Sequence, residues 1–248
     1  MLACVLALAG TACRRPEARA AGAPKPASPP VWVVSFGHSE SDEAEEPAHF
    51  ADFENLFLPR IEDEGARVIV YTVGLAGLGS PRVIARADFN TTGRDGDNPH
   101  KRAALQGLAR RQLLESVRDG LAATKFSSGS DSFGGLAAAA NFLAQYPPSS
   151  PKTLLAFGDQ VANLPQGCVL DRADLSPGNR PALLRTCSPA LPNLRGVRVM
   201  LAGAGYSEDD YIDTALGQGL EALYREFFTA AGAVVDLYGP VAVNGGTR

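Results

Sequence analysis

The sequence predicts a doubly wound α/β fold, a mostly parallel sheet with helices on both faces. Three observations predict it. Six short apolar runs recur along the chain, segments with helical periodicity separate most of them, and the clearest runs are continuous rather than alternating in polarity. A strand buried on both faces reads as such a run, and strands alternating with helices call for parallel pairing through crossover helices. The length of 248 residues suits one domain with a tail.

The elements follow in order. VWVVSF (31–36) is a strand buried on both faces. After an acidic stretch, Phe50, Phe53, Phe57 and Ile61 recur at helical spacing, and Gly65 closes that helix. RVIVYTV (67–73) is a second buried strand, whereas PRVIARADF (81–89) is more polar and belongs at an edge. A long helix spans about 99–123, with Pro99 in its first turn and Asn98 as its cap. Ser130 or Asp131 caps the next helix, which carries Leu136 and Leu143 toward the core. KTLLAFGD (152–159) is the fourth strand, and an irregular insertion occupies 160–196. VRVMLAG (197–203) is the fifth strand. A helix with Ile212, Leu216, Leu220, Leu223 and Phe227 on one stripe follows, and AVVDLYG (233–239) is the last strand.

The first thirty residues differ in character. Residues 1–13, MLACVLALAGTAC, read as a signal peptide: an apolar run too short to span a bilayer, then small residues ending in Cys13. Residues 14–30 are rich in Ala and Pro without apolar periodicity, as a disordered spacer would be. The globular domain is expected from 31 to 248. The small residues before Cys13 resemble the lipobox of bacterial lipoproteins, which implies lipidation of Cys13, although Gly10 stands where Leu is usual and no charged segment precedes the run. An exported protein, lipid-anchored in the cell envelope, is the first expectation; plain secretion is the alternative.

Several function classes find no support. The formal net charge of −4 leaves no basic surplus for binding nucleic acid. There is no GxxxxGK[ST] loop, GxGxxG fingerprint, GxSxG elbow or HExxH. The DFNTTGRDGDN stretch (88–98) looks calcium-like but fails the EF-hand spacing, with Thr92 at a ligand position and no closing Glu. His38 beside Ser39 is the one candidate base–nucleophile pair, and a solvated or capping role for His38 is the plainer reading. Residues 40–64 hold ten acidic side chains against the single base Arg60. Such a run is expected to be a solvated face, and it could also attract a cation or a basic partner. Outside the leader only Cys168 and Cys187 remain, so an exported protein is expected to join them in a disulfide.

The residues at the strand ends carry a family resemblance. SFGHS (35–39) ends the first strand, GSD (129–131) lies between two helices, and Asp159 ends the fourth strand. This order resembles the von Willebrand factor A (vWA) domains, over most of residues 31–240. The resemblance implies a metal-ion-dependent adhesion site for magnesium, built from a DxSxS strand end, a Thr in a GTD-like turn and a later Asp. Here the leading Asp is Ser35 and the middle Ser is Gly37, so the implied ligands reduce to Ser39, Ser130 and Asp159. Asp131, Glu40 or Asp42 replaces the lost carboxylate only if its loop turns it inward. LRGVRVMLAGAG and LYREFFTAAGAVVDLYG resemble a subgroup of bacterial vWA-like proteins with lipoprotein-type leaders and no assigned activity. Tyr224, Phe227 and Phe228 within the second segment are expected in the core.

The resulting expectation is a non-catalytic binding domain that engages a protein or envelope partner at the strand-end face, its degenerate site working without metal. Magnesium or manganese is the expected cofactor if the site is retained. A structural subunit of an envelope complex is the alternative, and a hydrolase using Ser39 and His38 a weaker one.

Overall fold

The computed structural model describes residues 28–75, 81–90, 98–164, 167–171, 173–204 and 214–239. Strand β1 (Val31–Gly37) leads through a short turn to helix α1 (Glu46–Asp52), which runs on through a π-helical turn (Phe53–Phe57) into α2 (Leu58–Asp63). Strands β2 (Arg67–Val73) and β3 (Arg82–Asp88) follow, then helices α3 (Pro99–Ala122) and α4 (Ser132–Ala144) and strand β4 (Lys152–Phe157). Helix α5 (Arg180–Cys187), strand β5 (Val197–Ala202), helix α6 (Thr214–Ala231) and strand β6 (Val234–Gly239) complete the fold.

The six strands lie in the order β3-β2-β1-β4-β5-β6. All neighbours are parallel except β2 and β3, which are antiparallel. This is the doubly wound arrangement. Strand order reverses between β1 and β4, so the crevice at the carboxyl ends of these two strands is where such sheets bind ligands. The polar third strand takes the edge, as its composition requires.

The alternation of side chains along β1 divides the core in two. Trp32, Val34 and Phe36 pack with Phe53, Ile61 and Val117 on one face. Val31 and Val33 share the other face with Leu136, Leu143 and the fully buried Tyr224, Phe227 and Phe228. At roughly 1.5–3 kcal/mol per fully buried large apolar side chain, these two clusters supply most of the gross stabilisation.

Local signals place the helix ends. The Asn98 side chain accepts from the backbone N–H of His100 (2.9 Å) and Lys101 (3.3 Å), capping α3. Asp131 caps α4 by accepting from Gly134 N–H at 2.9 Å. Gly65 adopts φ +60° just past α2, a conformation that costs glycine nothing. Leu220, Leu223 and Phe227 of the predicted stripe are buried; Ile212 lies outside the described residues.

One expectation needs correction here. The segment 160–196 is not irregular throughout: α5 forms within it, with Pro181 in its first turn. A disulfide joins Cys168 to Cys187 and ties α5 back to the loop after β4. Apolar periodicity over eight residues was too short to show the helix. The leader, Cys13 and nearly all of the spacer lie outside the described residues, as does most of 88–98. Among the described residues no helix is long and apolar enough to cross a membrane.

Candidate functional site

The carboxyl end of β1 is stitched to its surroundings by backbone bonds. His38 N–H donates to Val73 O (2.8 Å), Ser127 N–H to His38 O (3.1 Å) and Glu40 N–H to Ser127 O (2.8 Å). The chain then closes a tight turn, Asp42 N–H donating to Ser39 O at 2.9 Å. That turn swings the Asp42 side chain back over the end of β1. Its Oδ2 accepts from both the backbone N–H (2.9 Å) and the hydroxyl of Ser39. Asp42 is only 2% exposed, so one of the ten acidic residues expected on a solvated face is buried. Its other oxygen, Oδ1, has no hydrogen-bond partner.

Two glycines make room for this carboxylate. A Cβ on Gly37 would lie 2.7 Å from Asp42 Oδ1, and one on Gly158 would lie 2.8 Å from it. Gly158 has φ +123°, which L side chains rarely adopt, so the end of β4 is shaped for glycine twice over.

Asp159 follows directly. Its Oδ1 accepts from Val161 N–H (2.8 Å), and its Oδ2 from the exposed Ser41 hydroxyl (3.2 Å). Burial and the neighbouring Asp42 charge push its pKa up to about 7, despite those two hydrogen bonds. Gln160 next takes a left-handed conformation (φ 60°), the one described non-glycine residue to do so. The buried Tyr224 hydroxyl donates to its carbonyl at 2.7 Å, fixing the strained turn from below.

Asp42, Asp159, Gly37, Gly158, Ser35, Ser130 and Ser132 line one small cavity of about 20 Å³, room for a single water-sized sphere. Ser130 donates its hydroxyl to Val161 O (2.8 Å). Of the three ligands the vWA resemblance implied, the structure therefore brings Ser130 and Asp159 to one cavity. Ser39 sits beside it with its hydroxyl given to Asp42. Asp131 serves as the α4 cap. Of the three carboxylates the sequence offered in place of the one missing at position 35, Asp42 lines this cavity. The signal that could have singled it out is glycine at 37 and 158, where a side chain would collide with it.

The donor set suits a small hard cation. Two carboxylates and several hydroxyls are oxygen ligands of the kind magnesium and manganese take, with water completing the shell. Among the described residues no group of three or more His, Cys, Asp or Glu that could hold a metal ion comes together, so the cavity offers two carboxylates at most.

Of the solvated or capping role expected for His38, the solvated one does not hold. It is 1% exposed, and its ring stacks on Phe126 at 4.1 Å between centroids. Nε2 donates to Thr124 O (3.0 Å), and Nδ1 lies 3.0 Å from Glu46 Oε2. Burial disfavours its charged form, but Glu46, the Thr124 carbonyl and Asp42 outweigh burial and raise its pKa. Nε2 is thus hydrogen-bonded and Nδ1 lies against the Glu46 carboxylate, and no hydrogen bond joins the ring to the Ser39 hydroxyl. His49, buried against Phe157, has its pKa lowered by desolvation.

No family model matches the chain, and no curated protein does. Among solved structures it is similar to the pilus adhesin SpaC from Lactobacillus rhamnosus GG in its open conformation. The TM-score is 0.46 at 14% identity, over 84% of this chain and 30% of that one. It is also similar to proximal thread matrix protein 1 from the mussel byssus (TM-score 0.37, 13% identity, 82% of this chain and 48% of that one). A third is the human COPII-coat protein Sec24c (0.38, 13%, 86% and 30%). The chain thus spans less than half the length of each. At these scores the likeness carries nothing about partner or activity; the mixed sheet, with its strand order, is compatible with a vWA-like domain.

Proposed function

We propose that this chain is a non-catalytic binding domain of vWA-like type that engages a protein or envelope partner at the carboxyl ends of its strands. The observation that carries the reading is convergence. The turn after β1 (Ser39 to Asp42), the turn before α4 (Ser130) and the turn after β4 (Asp159 to Val161) come together by hydrogen bonds at the point of strand reversal. Exposed Glu40 and Glu43 border this face and give it negative charge, which suits a basic or cation-bearing contact. The engagement of His38 by Thr124 and Glu46 removes the base a Ser39 nucleophile would need, which favours binding over hydrolysis. Export to the cell envelope, with Cys13 lipidated, belongs to the same proposal; the Cys168–Cys187 disulfide supports an oxidising compartment.

Photo-crosslinking in intact cells tests it. A crosslinking residue placed at Ser41 or Glu40 is expected to give a discrete envelope adduct, and one at the exposed Asp88, at the opposite end of the sheet, is not. Adducts only from Asp88, or none from either strand-end position, would overturn the reading.

A further inference from the structure

We propose that the amino-terminal half of α3 docks on an anionic lipid surface and leaves the strand-end face clear of the bilayer. The starting point is an overhang. Gln106 donates to Glu62 O (3.5 Å) and Arg110 to the Glu62 carboxylate (2.9 Å), in the last turn of α2, shortly before β2 begins. Past the other end of α3, the Thr124 hydroxyl lies 3.5 Å from Arg82 and its carbonyl accepts from His38, beyond the carboxyl end of β1. The helix therefore runs from the amino end of the sheet to its carboxyl end. Residues 99–105 extend roughly 10 Å past Gln106, at the 1.5 Å per residue of an α-helix. All of them are exposed, and no residue of α3 before Leu113 is buried. The Asn98 cap holds this stretch helical.

The overhang is basic and apolar at once. Residues 99–114 hold Lys101, Arg102, Arg110 and Arg111 and no Asp or Glu, in a chain whose net charge is −4. Arg110 turns inward to Glu62, whereas Lys101, Arg102 and Arg111 are exposed. Leu105 and Leu108 are 45% and 44% exposed. At helical spacing these two leucines and Lys101 fall on the side opposite the buried Leu113, Val117 and Leu121, with Arg102 and Arg111 on the two flanks. Leucines framed by Lys and Arg are what a helix needs at a bilayer interface. The apolar side chains reach the acyl boundary while the bases stay among anionic headgroups.

Placement and charge select lipid over other occupants. Arg67 N–H donates to Pro30 O and Val31 N–H to Pro151 O, so the chain enters the domain at this same end of the sheet. The segment before it carries Arg14, Arg15, Arg19 and Lys25 against Glu17, a second basic stretch of the kind that anionic leaflets attract. A second copy of the chain would set these bases against their own kind. Farther along α3, Glu115 and Asp119 are exposed on the same outer face. An anionic surface repels them, so only the amino half of the helix seats and the carboxyl end of the sheet lifts away. From the proposed function this takes only the location at a cell envelope; it needs neither lipidation of Cys13 nor the strand-end partner.

The test places a benzophenone side chain at the exposed Ala104 of the full chain and irradiates it with vesicles at millimolar lipid. Vesicles of phosphatidylglycerol and phosphatidylcholine should give an adduct of one phospholipid, recognised by its mass. The same side chain at the exposed Glu43, at the carboxyl end, should give none. The yield should fall at least about tenfold in vesicles of phosphatidylcholine alone, and as far when Lys101→Gln, Arg102→Gln and Arg111→Gln are combined. Leu105→Ser with Leu108→Ser should lower it about fivefold. Circular dichroism reports whether the variants fold; if they do not, the comparison of the two lipids in the parent decides. No phospholipid adduct from Ala104, equal adducts from Ala104 and Glu43, or a yield indifferent to lipid charge would overturn the proposal. So would a protein adduct in place of a lipid one when the Ala104 position is irradiated in intact cells, the result expected of an acidic protein partner. A lipid adduct from Ala104 without a partner adduct from Glu40 would leave the proposal standing and sink the strand-end reading instead.

Discussion

The two ends of the sheet treat charge differently. At the amino end, charged groups are solvent-facing and paired across strands: Arg67 with Asp88 (2.9 Å) and, on the far edge, Arg198 with Asp236. Trp32 there is fully buried, and its Nε1–H donates to Glu64 Oε2 at 2.8 Å. At the carboxyl end, Ser35, His38, Ser39, Asp42, Ser130 and Gln160 are all buried, and one carboxylate oxygen among them is unpartnered. The first end is arranged as a stability-driven fold should be. The second accepts a desolvated charge and a left-handed Gln160, the kind of local cost that accumulates where a protein binds something.

If that contrast is sound, damage at the amino end costs stability alone. Trp32→Ala removes a side chain that is 0% exposed and leaves a large cavity, so it should lose about 3–5 kcal/mol in chemical denaturation. Where the variant remains folded, crosslinking from Glu40 at the strand-end face should be unchanged. A matching loss of that adduct would mean that the two ends are not separable.

Breaking the Cys168–Cys187 bond comes next in size. It closes a loop between residues 19 apart in sequence, worth about 3 kcal/mol in the chain-entropy picture. Cys168→Ser with Cys187→Ser should lower the melting temperature and leave the cavity lined by Asp42 and Asp159 intact. Equal melting with and without dithiothreitol would show that the bond contributes nothing.

The smallest expected effect is a pH dependence confined to the carboxyl end. The His38 pKa is raised on folding, so its contribution to stability is complete below the ordinary histidine value of 6.5 and is lost as pH rises through the higher folded value. Glu46→Gln removes its ion partner. The stability difference between parent and variant, of order 1 kcal/mol or less, should be greatest below pH 6.5 and shrink in alkaline buffer. A difference that grows with pH would show that Glu46 acts on some other group.

The sequence was legible where a local pattern decides the outcome. Continuous apolar runs gave the buried strands, Asn98 announced the α3 cap, and the spacing of Leu220, Leu223 and Phe227 gave the buried stripe of α6. Setting aside the leader cysteines, with export expected, paired 168 with 187. The site was legible only in part, because its chemistry depends on a turn. Read position by position, Ser35 and Gly37 signify a lost motif. Only the fold shows that the 39–42 turn carries a carboxylate back over Gly37. His38 was misjudged for a similar reason: the stacked Phe126 and the Thr124 carbonyl that bury it lie 88 and 86 residues away. The antiparallel direction of β3 depends on the loop before it, and polarity in the strand itself says only that it lies at an edge.

The central claim is that the carboxyl end of the sheet is the partner-binding face and the amino end is not. Crosslinking in intact cells from Glu40, at the carboxyl end, and from Asp88, at the amino end, tests it most directly. The account predicts a discrete adduct from Glu40 and none from Asp88. Adducts from Asp88 alone, or from neither position, would contradict it.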